Sequence, residues 1–77
     1  VLAVEVLSPS DRQSDVDDMV DEYLECGVAI VWIINPRFRH VTVYRRDRSP
    51  VLFAETEQLD AEPELPGFSV PVEVLFR

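Results

Sequence analysis

Apolar positions along the chain fall into distinct patterns, and each predicts a different element. Leu2-Ala3-Val4-Glu5-Val6-Leu7 is apolar on both alternating faces except for one carboxylate. Runs of this kind read as strands covered on both sides, so a buried strand is predicted over Val1 to Leu7. The segment Ser8-Pro9-Ser10 stops it, because proline has no N–H to offer a central ladder. Val16, Met19, Val20, Tyr23 and Leu24 then recur at the spacing of one helical face. They predict a helix from about Asp15 to Cys26. Ser10 with Gln13, and Ser14 with Asp17, offer capping boxes at its start. Acids crowd the first turn, where the macrodipole favours them. Gly27 stands where a left-handed C′ residue belongs.

Val28 to Ile34, "VAIVWII", is rich in β-branched residues and predicts a second buried strand. Beyond the Asn35-Pro36-Arg37 turn the pattern changes to strict alternation over His40 to Arg45. Val41 and Val43 share one face and Thr42 and Tyr44 the other, as in a strand with one face partly solvated. After the turn "RRDRSP", Val51 to Glu55 makes a short strand. The acidic stretch Thr56 to Glu64 reads as loop, and Pro71 suits the first turn of a short helix over Val72 to Phe76. The predicted order is β-α-β-β-β-(α). This is an α/β or α+β unit with a mixed sheet and one main helix, its first two strands pairing in parallel across that helix.

With 77 residues, 47% of them hydrophobic, the chain is a single domain, residues 1–77, and too apolar to be disordered. Val28 to Ile34 is too short to span a bilayer, and no basic segment precedes an apolar one, so no membrane role is expected. Cys26 is the one cysteine, which excludes an internal disulfide and points to the reducing cytoplasm. The chain starts at Val1, directly in a strand, which is expected of a fragment or an incomplete domain.

Charge is distributed in blocks. Asp11 to Glu25 holds seven acids against Arg12 alone, Arg37 to Arg48 holds five arginines against Asp47, and Glu55 to Glu64 holds five acids. The net charge is −8 and every basic residue is arginine. Such a chain repels nucleic acid overall, so contact would need a local arginine patch or a divalent metal.

The elements "VEVLSPSDR", Asp15, Tyr23, "GV…VWIINP…VTVYR" and "LPGFSVPVEVLF", in that order, resemble one family. It is the Uma family of bacterial restriction-endonuclease-like proteins, within the PD-(D/E)XK nuclease superfamily. The resemblance covers essentially the whole chain and corresponds to the C-terminal half of the family domain, a partial restriction-endonuclease-like core. It implies a metal-dependent DNA endonuclease, with Mg²⁺ as cofactor and DNA as partner. It places Glu5 at the metal-binding and catalytic glutamate, which gives the lone carboxylate of the first strand a purpose. Burying an unpaired carboxylate without one would be costly. Magnesium takes hard oxygen ligands and keeps several waters, so few carboxylates are needed.

The chain also departs from that pattern. The lysine two residues after the glutamate is Leu7 here. The family's relocated lysine, four residues after Asp15, is Met19, and the chain contains no lysine at all. Val1 stands where an acid four residues before the glutamate is common. Arg12 carries charge but stays protonated and cannot act as a base. The expectation is a site that is incomplete or inactive in this chain, with no metal bound by it alone. Completion would come from a missing N-terminal segment or a homo-oligomeric partner, because the apolar first strand would otherwise leave an open edge. The alternative is a non-catalytic remnant of the fold serving as a dimerisation or protein-interaction module.

Other candidates have plainer uses. Ser8 and Ser10 lack a base and are expected to stop the strand and cap the helix. His40 is expected at a strand edge, and Cys26 as a small packing residue. Asp17, Asp18, Asp21 and Glu22 form no calcium loop. Arg37, Arg39, Arg45, Arg46 and Arg48 are expected to pair with neighbouring acids, with Trp32 in the core and Phe38 packed in its turn.

Overall fold

The computed structural model describes residues 2–61 and 65–76, with the side chains of Ala61 and Leu65 left aside. Val1, which the resemblance sets at a position where an acid is expected, lies outside the described residues, as do Glu62 and Glu64 of the acidic stretch. The elements are β1 (Leu2–Val6), α1 (Gln13–Glu25), β2 (Ile30–Asn35), β3 (His40–Arg45), β4 (Val51–Ala54), β5 (Gln58–Ala61) and β6 (Leu65–Pro71), followed by a 3-10 helix, Val72–Phe76.

Strands β1 to β4 form a mixed sheet in sequential order. β1 runs parallel to β2, with Glu5 beside Ile33, and the α1 crossover makes this possible. β2–β3 and β3–β4 are antiparallel hairpins. β5 and β6 form a second, two-stranded antiparallel sheet, with a register shift at Asp60 and Ala61. The fold is α+β.

Strand alternation sorts the core onto two faces of the main sheet. Val31 and Ile33 turn to α1, where Val16 and Val20 meet them and Ala3, Leu7, Met19, Tyr23, Leu24, Val28 and Tyr44 pack around. Ile30, Trp32, Ile34, Val41 and Val43 turn to the other face, covered by Leu59 and Val72, with Leu2, Phe53, Val70, Leu75 and Phe76 beside them. The molecule is thus layered as helix, main sheet, and small sheet with the 3-10 helix. Trp32 is 4% exposed and lies at a tilted 5.6 Å from Phe68; its indole N–H finds no hydrogen-bond acceptor among the described residues.

Several sequence expectations are met. α1 buries its predicted stripe, and Gly27 takes φ +95° after it. The Gly27 N–H bonds to Leu24 O and the Val28 N–H to Tyr23 O, a Schellman ending. Because that motif uses Val28, β2 starts at Ile30 rather than Val28. β3 has the predicted bounds.

Other expectations are corrected. Neither serine caps α1: the N-cap is Arg12, with no side-chain capping bond. Asp11 Oδ2 accepts the Ser8 N–H at 2.7 Å and the Ser8 and Ser10 hydroxyls meet each other at 3.1 Å, so the "SPSD" turn consumes these groups. The acidic stretch is not simply loop. Leu59, fully buried between Gln58 and Asp60, anchors β5, and β6 precedes the predicted short helix. β1 is not central either. It forms an edge of the sheet, with Val4 43% and Val6 63% exposed on the face opposite α1.

Candidate functional site

Glu5 lies near the carboxyl end of β1, at a position where the strand turns alternate side chains toward α1. It faces the helix that carries Met19 and is half-buried, not fully covered as the apolar run around it predicts, because β1 is an edge. Its carboxylate therefore keeps solvent contact, which lowers the cost of holding charge there. Tyr23, one helical turn beyond Met19, donates its hydroxyl to Glu5 Oε2 at 3.2 Å. That bond and the adjacent negative charge raise the Tyr23 pKa above its usual value, chiefly because ionising the phenol would destroy the bond and face two anions together.

Beside Glu5 is a cleft of about 130 Å³ lined by Asp11, Asp15, Val16 and Met19, together with Val6 and Leu7. It gathers three carboxylate-bearing residues from three places: the strand, the turn after it and the first turn of α1. Asp15 is exposed on the helix, and Asp11 is held by its bond from Ser8 N–H. Met19 packs with Val16 and Val20 against the sheet, so the helix presents an apolar thioether to this cleft. Sequence reasoning names Glu5, Asp15 and Met19 but misses Asp11, whose place here depends on the tight turn. The role of Tyr23 is also missed, since its bond to Glu5 joins residues 18 apart in the chain.

This arrangement can bind through hard oxygens, but it does not form a complete cation cage. Among the described residues no group of three or more histidines, cysteines or carboxylates converges closely enough to hold a metal ion. The residues present do not fit Mg²⁺ unaided. Nor, among the described residues, does a cationic side chain line the Glu5 cleft, whose walls are acidic and apolar.

The remaining candidates sit elsewhere. Arg39 pairs with Glu55 and lies over the Phe76 ring. Arg46 and Arg48 line a separate cleft opposite Asp17, Asp21 and Glu25. Arg37 has no ion-pair partner among the described residues and rests over Phe38 instead. Phe38 is not packed away: it is 64% exposed, with His40 stacked nearly parallel to it. Cys26 is exposed and free rather than packed. No helix among the described residues is long and apolar enough to cross a membrane.

Comparison with known proteins places this geometry. A solved structure from Anabaena variabilis ATCC 29413, titled as "a putative nuclease belonging to DUF820", superposes with a TM-score of 0.83 at 24% identity. The match covers 97% of this chain and 42% of that one, so the chain spans less than half of the Anabaena protein's length. At that identity the likeness concerns the fold. No curated protein matches the chain. The family described as "Putative restriction endonuclease" (Uma2) matches residues 1–73, and with all but the last few residues inside that match the chain belongs to this family.

Proposed function

We propose that the chain is the Glu5-bearing part of a metal-dependent DNA endonuclease, and that it does not cut DNA by itself. The observation that carries this reading is the position of Glu5. In a chain of the restriction-endonuclease family, the one carboxylate of β1 faces a cleft shared with Asp11 and Asp15. Mg²⁺ is the cofactor implied for the family. Glu5 would be one ligand, and Met19 occupies the place of the cationic helper. Since the described carboxylates do not converge on an ion, the remaining ligands must come from outside this set. Cytoplasmic residence, in keeping with a free Cys26, belongs to the same proposal.

The test is cleavage of supercoiled plasmid with Mg²⁺ or Mn²⁺, by this chain and by the whole product of its gene. The chain alone, and its Met19→Lys variant, should leave the plasmid intact. The whole product should cut, and Glu5→Ala should remove that activity. Equal cutting by the Glu5→Ala protein would exclude Glu5 from the site. Cutting by the chain alone, lost on Glu5→Ala, would overturn the view that it is incomplete.

A second reading is a non-catalytic remnant that acts as a dimerisation or interaction module. It is favoured by the apolar Met19 in the cleft and by the open edge of β1, where Val4 and Val6 stand exposed. A catalytically silent whole gene product that still self-associates would support it.

A further inference from the structure

We propose that the turn between β2 and β3 is a contact surface for an unpaired DNA strand, with the Phe38 ring as a stacking platform and Arg37 as a phosphate contact. The proposal rests on the nuclease reading above, but it concerns residues outside the carboxylate cleft. It begins with the rigidity of the turn. Asn35 Oδ1 accepts the N–H groups of Arg37 at 3.0 Å and Phe38 at 3.2 Å. Arg39 closes the turn at φ 55°, in the left-handed region. The backbone therefore fixes Phe38 at the tip, and its ring stays in water when the cores of the domain lie elsewhere.

Two neighbours brace the ring. His40 stacks on it with centroids 5.9 Å apart and planes at 12°, and the Arg37 guanidinium lies 5.3 Å from its centroid. A braced aromatic ring beside a guanidinium suits a nucleobase and its flanking phosphate. Every base has a π-face, and arginine matches phosphate oxygens with a rigid fork of donors. Arg37 has no ion-pair partner among the described residues, so its charge is available. A base already stacked in a duplex offers no face to the ring, hence the preference for an unpaired strand.

Position connects this surface with the candidate site. A cleft of about 390 Å³ runs between the turn and the segment after β1, lined by Leu7, Asp11, Pro36, Arg37 and Phe38 among others. That volume lies within the range of small-ligand pockets, about 300–1,000 Å³. Leu7 and Asp11 also line the Glu5 cleft, so the two clefts adjoin near the carboxyl ends of the parallel strands β1 and β2. Crevices at such strand ends are where open sheets with helices bind ligands. Asp11 is the opposing charge. Its Oδ2 already accepts the Ser8 N–H, and a phosphate would approach from the Arg37 side.

The experiment is a metal-free titration at low salt of the isotope-labelled 77-residue chain with oligothymidylate, followed residue by residue by NMR, beside a hairpin duplex of equal length. Perturbed amides should cluster at Asn35 to His40, with oligothymidylate preferred. Phe38→Ala should weaken binding about five- to a hundredfold and remove the preference, while Phe38→Tyr should keep it. Arg37→Ala should reduce the salt slope by about 0.7. Because Phe38 is exposed, its variants should retain the parent's spectral dispersion, and a result from a folded variant is assured. Perturbation centred elsewhere, unchanged affinity in Phe38→Ala, or absence of binding by the chain would each overturn the proposal. Glu5-dependent plasmid cleavage by the whole gene product could persist through all three, so failure here is distinguishable from failure of the nuclease reading.

Discussion

Glu5 and Tyr23 together form the most informative pair in the chain, because one measurement tests the strand–helix docking that builds the cleft. The bond from the Tyr23 hydroxyl raises its folded pKa above the usual 10.0, and burial does the same for Tyr44, against an opposing hydrogen bond with Gln13. A group whose folded pKa is raised stabilises the fold fully below its unfolded pKa and loses that contribution as pH climbs through the folded value. Stability should therefore be insensitive to these tyrosines at neutral pH and fall above about pH 10. Phenolate absorbance should show Tyr23 ionising late, and Glu5→Gln should bring its titration back toward 10.0 by removing the anionic partner. A Tyr23 titration unmoved by Glu5→Gln would mean that the pair does not meet in solution. At this scale the sequence was partly readable. A carboxylate inside an apolar run announces a special residue, but nothing local tells that a tyrosine on the next helix will reach it.

Among the elements, legibility followed how many residues repeat a period. α1 shows five apolar residues on one stripe, and β3 alternates cleanly, so both emerge from pattern alone. In β5 the buried residue among those described is Leu59, beside acids, too short a signal to separate from loop. β1 misleads in the other direction, since its apolar residues look like two covered faces although Val4 and Val6 are bare. Two predictions belong here. Gly27→Ala should destabilise the domain by about 1–2 kcal/mol, measured by urea unfolding, because a Cβ is disfavoured in the left-handed region. No heavy atom lies within 4 Å of that Cβ, so the loss would be one of backbone conformation alone. The second concerns the edge of β1. Leu7 N–H reaches Ile34 O, so the backbone groups of Leu2, Val4 and Val6 point away from β2. Two copies pairing antiparallel about Val4 would set Glu5 opposite Ala3 of the other copy, not opposite its own like, and cover both exposed valines. The isolated chain should self-associate, and Val6→Lys should weaken this in sedimentation by placing a charge on the seam. A compact monomer for the parent at high concentration would refute it.

For the molecule as a whole, the order of the first five elements and the parallel crossover follow from the sequence, whereas the third layer does not, because it depends on β5 and β6 pairing across a segment of mixed composition. That layering has a spectroscopic consequence. Trp32 is the only indole in the chain, and its side chain lies wholly on the face covered by the small sheet, against Phe68. α1 packs on the reverse face, and its unwinding would be seen by far-ultraviolet circular dichroism. Intrinsic fluorescence and circular dichroism therefore watch opposite sides of the same four strands. If the denaturation curves coincide, the sheet transmits cooperativity from face to face; if the emission shifts first, the small sheet is an independently melting cover, and the helical side with Glu5 outlasts it.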